Sequence, residues 1–366
     1  MTDYKPKVLM GIPVLYNGGT EEQMLTMITC LAEEYDTEVL CYFDTKKEMV
    51  QQLNDKNITT HILNLDPQSS KKVIINSIKL KLLEINPLFF HVQYIAPGLL
   101  PILAANKAKI KNIFATVHQP GTPYGWKPKL LIKYALFRCT QFICVSESVK
   151  SSWFPSLRKN HLKPIVIPNA IDLLNIEKLG KQLQSNPTKP YIMYAGRISI
   201  EKGTDILIKA FSMISKEHNL DLVIAGDGPE INKCKSIATE ANIGNNIFWK
   251  GHIGKQELYK LMAKANLGIV PSHFEGFGLS ALEFIANGTP VVAHNINGLP
   301  EIIKPKINGY LYNQNNPNTL ADHINQHVNA KETMDINSIK DSIKKFDINI
   351  HKRSLLKLYK TYNDSI

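Results

Sequence analysis

Strand-length apolar runs alternate with helix-length segments almost from end to end of this chain, in two successive series. The pattern predicts strands at Lys7–Val14, Thr37–Phe43, Leu88–Val92, Asn112–Val117, Gln141–Val145 and Pro164–Ile167. Helical segments such as Thr20–Glu34, Ser69–Ile85 and Lys127–Arg138 lie between them. A polar stretch with two prolines, Lys181 to Pro190, interrupts the alternation. It resumes with strands predicted at Tyr191–Ala195, Leu220–Ala225, Asn246–Lys250, Asn266–Val270 and Thr289–Ala293. Two such series predict two doubly wound α/β domains, 1–180 and 181–345. The closing segment, about 346–366, is expected to pack back on the first domain. With 366 residues the chain is too long for one ordinary core, which agrees with the division. Sites in such sheets lie beyond the carboxyl ends of the strands, so candidates are sought there.

The formal charge of +11 is unevenly spread. Between Pro67 and Lys163 stand 15 lysines and arginines against two acids, Glu84 and Glu147, leaving the remainder slightly acidic. So one-sided a block is either a solvated face or a surface that meets something anionic, such as lipid headgroups or nucleic acid. The apolar stretches are too short or too interrupted to span a bilayer. Met1 to Tyr16 lacks a small-residue cleavage site and is read as a first strand, not a signal peptide. Five cysteines form no C-x-x-C pair, which points to reduced thiols in the cytoplasm and away from a zinc site.

The most informative stretch is Pro271 to Val292. Glu275 sits in a glycine-rich turn, and Glu283 lies in a run, Leu279 to Ala286, that is otherwise almost wholly apolar. Such a run is a buried helix, closed here by Asn287-Gly288. A carboxylate there is costly unless something pairs with it. The helix start offers free N–H groups to an anion. Glu283, one turn in, could accept hydrogen bonds from a vicinal diol such as a ribose, and Glu275 a hydroxyl beyond the other end of a diphosphate. The alternative is a Glu283 that snorkels or pairs with a buried lysine. Arg197 leaves a buried strand and Lys202 opens the next helix, so the two could clamp a diphosphate. Otherwise Arg197 pairs with a local acid such as Glu201.

Three weaker signals sit at other strand ends. Gly18-Gly19 precedes a helix, as a phosphate site or simply a turn. His118 follows the strand Asn112–Val117, either as a site residue or as a structural histidine. Ala225-Gly-Asp-Gly-Pro229 mimics a dinucleotide fingerprint, but Pro229 and the missing third glycine spoil it. A close backbone approach between the domains is the expected use.

Together, Glu275-x7-Glu283, Gly196-Arg197 with Lys202-Gly203, Gly18-Gly19, Pro168-Asn-Ala-Ile-Asp172 and Gly226-Asp-Gly-Pro229 resemble the family 4 retaining glycosyltransferases of GT-B fold. The closing Phe346…Leu355-x2-Leu358-Tyr359 pattern is similar too, so the likeness covers nearly the whole chain. The resemblance implies two Rossmann-like domains facing a central cleft, the first for the acceptor and the second for the donor. It implies transfer of a hexose or N-acetylhexosamine from a nucleotide diphosphate sugar, UDP-sugar before GDP-mannose, to a hydroxyl of a glycan, glycolipid or protein. Cell-surface polysaccharide or glycoconjugate synthesis is the setting it suggests. By position, Arg197 and Lys202 would bind the diphosphate, Glu283 the ribose and Glu275 the donor sugar. Phe277, Gly278 and Leu279 would give backbone contacts, and His252 and Ile253 fall where the base is cradled. His118 would touch the sugar's primary hydroxyl, and Gly19, beside Gly18, the phosphate. One departure is Asn297-Gly298, where many relatives have two glycines.

No D-x-D sequence occurs, so a metal-bridged diphosphate lacks its usual ligand and neither metal nor cofactor is expected. The basic segment 67–163 then suggests a peripheral contact with an anionic membrane, at the inner face of the cell membrane. No motif supports nucleic-acid binding. Rival readings are a catalytically silent partner of another transferase, a sugar-nucleotide epimerase and a phosphorylase.

Overall fold

The computed structural model describes residues 5–94, 98–122, 124–155, 164–180 and 189–363. Seven strands form the first sheet: β1 (Lys7–Leu15), β2 (Asp36–Thr45), β3 (Thr59–Ile62), β4 (Phe89–Tyr94), β5 (Asn112–Val117), β6 (Gln141–Cys144) and β7 (Ile165–Val166). Their order is β3-β2-β1-β4-β5-β6-β7. The second sheet holds β8 (Tyr191–Ala195), β9 (Asp221–Ala225), β10 (Ile247–Gly251), β11 (Leu267–Val270), β12 (Val291–His294) and β13 (Gly309–Tyr312), in the order β10-β9-β8-β11-β12-β13. Every described pairing is parallel. Parallel strands need crossovers, and the helices that make them bury both faces of each sheet, which is why the central strands are so uniformly apolar.

Each sheet carries its own core. Val8, Met10, Ile12, Phe89, Phe114 and Ile143 lie at its centre in the first, and Ile192, Leu222, Ile224, Leu267, Ile269 and Val292 in the second. The chain divides into two compact units, Met1–Ala170 with Ile348–Ile366, and Ile171–Asp347. The helix Leu173–Gly180 thus belongs to the second unit, although the polar stretch after it suggested a boundary at 180/181. It packs on the helices Lys255–Lys264 and Leu279–Ala286, and a Cβ at Gly180 would stand 2.6 Å from Asn287 Oδ1.

The closing helix Ile348–Asn363 lies on the first unit and buries Leu355 and Tyr359 completely. Tyr359 shares a hydrogen bond of 2.7 Å with His91 Nδ1, whose Nε2 meets Thr116 Oγ1 at 2.7 Å. All five cysteines are buried free thiols. No helix among the described residues is long and apolar enough to cross a membrane.

Candidate active site on the second sheet

Strand order decides where the site forms. The second series starts in the middle of its sheet, with β9 added on one side of β8 and β11 on the other. Connections leaving β8 and β11 therefore diverge to opposite faces, and a crevice opens between them at the carboxyl edge. The loop after β8 carries Arg197 and Lys202, and the loop after β11 carries Glu275. Residues 73 positions apart are thereby brought together: Lys202 Nζ donates to Glu275 Oε2 at 2.6 Å.

Backbone contacts fix this meeting. The Glu201 carbonyl accepts from the His273 and Phe274 amides at 2.8 and 3.3 Å. Gly203, at φ 63°, lies so close to the Pro271 carbonyl that no side chain fits. Glu275 Oε2 also accepts from the hydroxyl of buried Ser272 at 3.4 Å, and the Glu275 amide donates to Asn297 Oδ1 at 3.3 Å. Behind the loop, His294 Nδ1 donates to the Ser272 carbonyl at 2.9 Å, so that nitrogen carries the proton. Asn315 Nδ2 donates to the Pro271 carbonyl at 2.9 Å. None of Ser272, His294, Asn297 and Asn315 was singled out as a site residue from sequence. Their roles depend on partners 3 to 44 residues away, so no local motif announces them.

Arg197 is exposed and makes no ion pair among the described residues. The pairing with Glu201 left open above is not made. Glu201 is held below its ordinary value first by the Ser199 hydroxyl and then by its own amide, with the charges of Arg197 and Lys202 adding smaller attractions. The backbone at Arg197 is tied inward: Tyr194 donates its hydroxyl to the Arg197 carbonyl at 2.7 Å, and burial pushes that phenol well up. The turn Ala225–Pro229 makes a close backbone approach here, within the second unit. Gly226, at φ 141°, lies against the Gly196 carbonyl, and the Ile198 amide donates to the Asp227 carbonyl at 2.9 Å.

The helix Leu279–Ala286 follows, with Phe277 and Gly278 buried and no side chain capping its first turn. Glu283 is half-buried, less deeply than the apolar run around it suggested. Tyr259 of the helix Lys255–Lys264 donates its hydroxyl to Glu283 Oε1 at 3.1 Å. His252 is exposed and Ile253 half-buried in the loop before that helix.

Three candidates belong to the first unit. His118 is buried, with Nε2 2.7 Å from Gln93 Oε1, and burial lowers it to about 4, so it is neutral. Gly18 precedes the helix Gly19–Leu31, whose start is shielded by Glu21. That carboxylate accepts from the Tyr16 amide at 3.2 Å and lies so near Gly18 that a Cβ there would stand 2.6 Å from Oε2. Burial raises Glu21 above its ordinary value. An anion at this helix start must contend with that carboxylate, which sequence reading did not foresee.

Comparison with known proteins accords with this arrangement. Residues 17–174 match the family described as Glycosyltransferase Family 4, and residues 175–340 the one described as Glycosyl transferases group 1. An uncharacterised glycosyltransferase of Methanocaldococcus jannaschii is 29% identical over 61% of this chain and 60% of its own length. The alpha-monoglucosyldiacylglycerol synthase of Streptococcus pneumoniae is 31% identical over 59% of this chain and 53% of its own. The chain thus spans less than two thirds of the length of either relative. Anabaena HepE, solved in complex with UDP and glucose, superposes with a TM-score of 0.79 at 18% identity, covering 97% of this chain and 99% of that one. At that identity the likeness speaks for the fold.

Proposed function

Because this chain belongs to the family 4 glycosyltransferases of GT-B fold, we propose that it transfers a hexose or N-acetylhexosamine from a nucleotide diphosphate sugar to an acceptor hydroxyl. The carrying observation is the Lys202–Glu275 pair at the reversal of strand order, with an exposed guanidinium, Arg197, on the same loop. An ammonium has three donors, so Lys202 can hold Glu275 and still reach a phosphate oxygen. Arg197 adds a second cation, and the uncapped first turn of Leu279–Ala286 adds free amides. As the bond from the anomeric carbon to the diphosphate breaks, negative charge grows on the leaving group, and these fixed positive groups stabilise it. Glu275 accepts from a hydroxyl of the sugar, and Glu283 from the ribose diol, with Tyr259 steadying its other face. His252 and Ile253 are assigned to the base, and Phe277, Gly278 and Leu279 to backbone contacts. From the first unit, Gly18 and Gly19 are assigned to the phosphate and neutral His118 to the sugar.

The acceptor oxygen attacks from the leaving-group side, its proton passes to a departing phosphate oxygen, and configuration is retained. Arg197 and Lys202 would neutralise the diphosphate without a metal. Uridine is favoured as the base, in keeping with the HepE complex. The first experiment is a thermal-shift panel of uridine, guanosine and adenosine diphosphate sugars, followed by product analysis. Stabilisation by one donor class and a new glycosidic product support the proposal. Turnover without transfer to a hydroxyl favours an epimerase, and binding without turnover a silent partner.

A lipid-linked acceptor is favoured by one feature of the first unit. On the helix Trp126–Leu136 and the residue after it, Trp126, Leu130, Leu131, Tyr134 and Phe137 are 45–68% exposed, among Lys127, Lys129, Lys133 and Arg138. Leu80 and Leu83 on Lys71–Ile85 are 66% and 51% exposed among further lysines. Apolar area ringed by cations suits an anionic lipid surface. Each lysine there adds about 1 kcal/mol at most. Sedimentation with anionic vesicles, reversed by salt and weakened by Trp126→Ser, is the expected result. Equal binding to neutral vesicles would refute it.

A further inference from the structure

The turn after β12 is built around Asn297, which sits at φ 48° in the left-handed region where glycine is at ease. Asparagine tolerates that conformation, and here its side chain also makes a specific contact: Oδ1 accepts the Glu275 amide at 3.3 Å. The surroundings repeat the message. A Cβ at Gly298 would stand 2.8 to 2.9 Å from the Gly276 carbonyl oxygen and from Phe277 backbone atoms. A Cβ at Gly278 would stand 2.7 Å from Leu299. The turn 297–299 is thus moulded against the backbone that carries Glu275, while Lys202 and Ser272 hold that residue's carboxylate.

We propose that Asn297 is a positioning residue for Glu275: its amide oxygen sets the backbone from which the carboxylate meets both Lys202 and the donor sugar. The idea rests on the proposed function, in which Glu275 meets the sugar. A glycine here would permit the same turn without holding the amide, so the side chain selects one placement of the Glu275 loop. Such a residue acts on the sugar end of the donor and not on nucleotide affinity.

The test is Asn297→Gly, made in the native chain and again in a Glu275→Gln background. The variant keeps the left-handed backbone, so its melting temperature should not fall. Turnover should drop about fivefold, the size expected for one lost hydrogen bond. Affinity for the nucleoside diphosphate alone should hold within about twofold. In the Glu275→Gln background the same substitution should change nothing further. Unchanged turnover, or an equal loss in both backgrounds, would overturn the proposal, since a merely structural asparagine acts regardless of the carboxylate. A crystal structure of Asn297→Gly supplies a reading independent of activity. A Lys202–Glu275 contact still at its native distance would also refute the idea, and a displaced Glu275 would support it. A native chain inert with every sugar nucleotide would sink the proposed function, and that structure would still decide the role of Asn297.

Discussion

Arg197 and Lys202 carry the same charge on the same loop, yet their surroundings assign them different consequences. Arg197 is exposed, whereas Lys202 is 31% exposed and bonded to a Glu275 side chain only 12% exposed. Removal of either cation should lower turnover about 10²-fold, as loss of one transition-state donor does. Stability should separate them. Arg197→Ala should leave the melting temperature unchanged, while Lys202→Ala, which strips a largely buried carboxylate of its partner, should lower stability by about 1 kcal/mol. Steady-state kinetics beside thermal denaturation checks both halves, and equal melting points would mean the pair is not formed in solution. The glutamates, cations and glycine turns were legible in sequence because their residue types and spacing carry the chemistry. The Lys202–Glu275 contact was not, nor Asn297 or Tyr259, since it is the order of strands that makes distant residues neighbours. Glu21 shows the reverse failure: its neighbours in sequence were read, but not that its carboxylate would fold back over Gly18.

Among the elements, central strands were the easiest to read and edge strands the hardest. β5, β8 and the helix Leu279–Ala286 fall on their expected residues because burial on both faces enforces unbroken apolar runs. β3 and β13 went unforeseen; Thr59–Ile62 has no buried residue, so its sequence shows neither alternation nor an apolar run. The closing helix was expected on the first domain from its place after the second series, but its polar anchor was invisible. Tyr359 is fully buried and meets His91, which Thr116 holds from the other side. Tyr359→Phe keeps the packing and leaves His91 Nδ1 without its partner, an expected loss of about 1–3 kcal/mol. Urea unfolding should register it, and hydrogen exchange should show the closing helix opening first. Wild-type stability in this variant would mean that the hydroxyl contributes nothing.

At the scale of the whole molecule, the two units should respond differently to acid. His91, His118 and His351 all lie in the first unit and are buried in neutral form, at about 3, 4 and 4. Burial is the leading cause for each, since an imidazolium in those sites would lose its water. In the unfolded chain each titrates near 6.5, so below that pH the unfolded state binds the extra protons. Their contribution is therefore complete above about pH 6.5 and is lost as pH falls toward 4. At pH 5 each should have given up about 2 kcal/mol. Glu21, raised by burial, opposes this, but it is one group against three and its effect lies near the carboxylate range. Among the described residues of the second unit, His327 is lowered too, but it is less buried. Tryptophan placement makes the contrast measurable, because Trp126 and Trp153 lie in the first unit and Trp249 in the second. Urea unfolding of a Trp249→Phe chain should show a midpoint that falls steeply between pH 7 and pH 5. A chain carrying Trp126→Phe and Trp153→Phe, reporting through Trp249 alone, should show a much smaller change. If both reporters moved together, the units would unfold as one, and if neither moved, the three histidines would be charged or solvated in the folded protein.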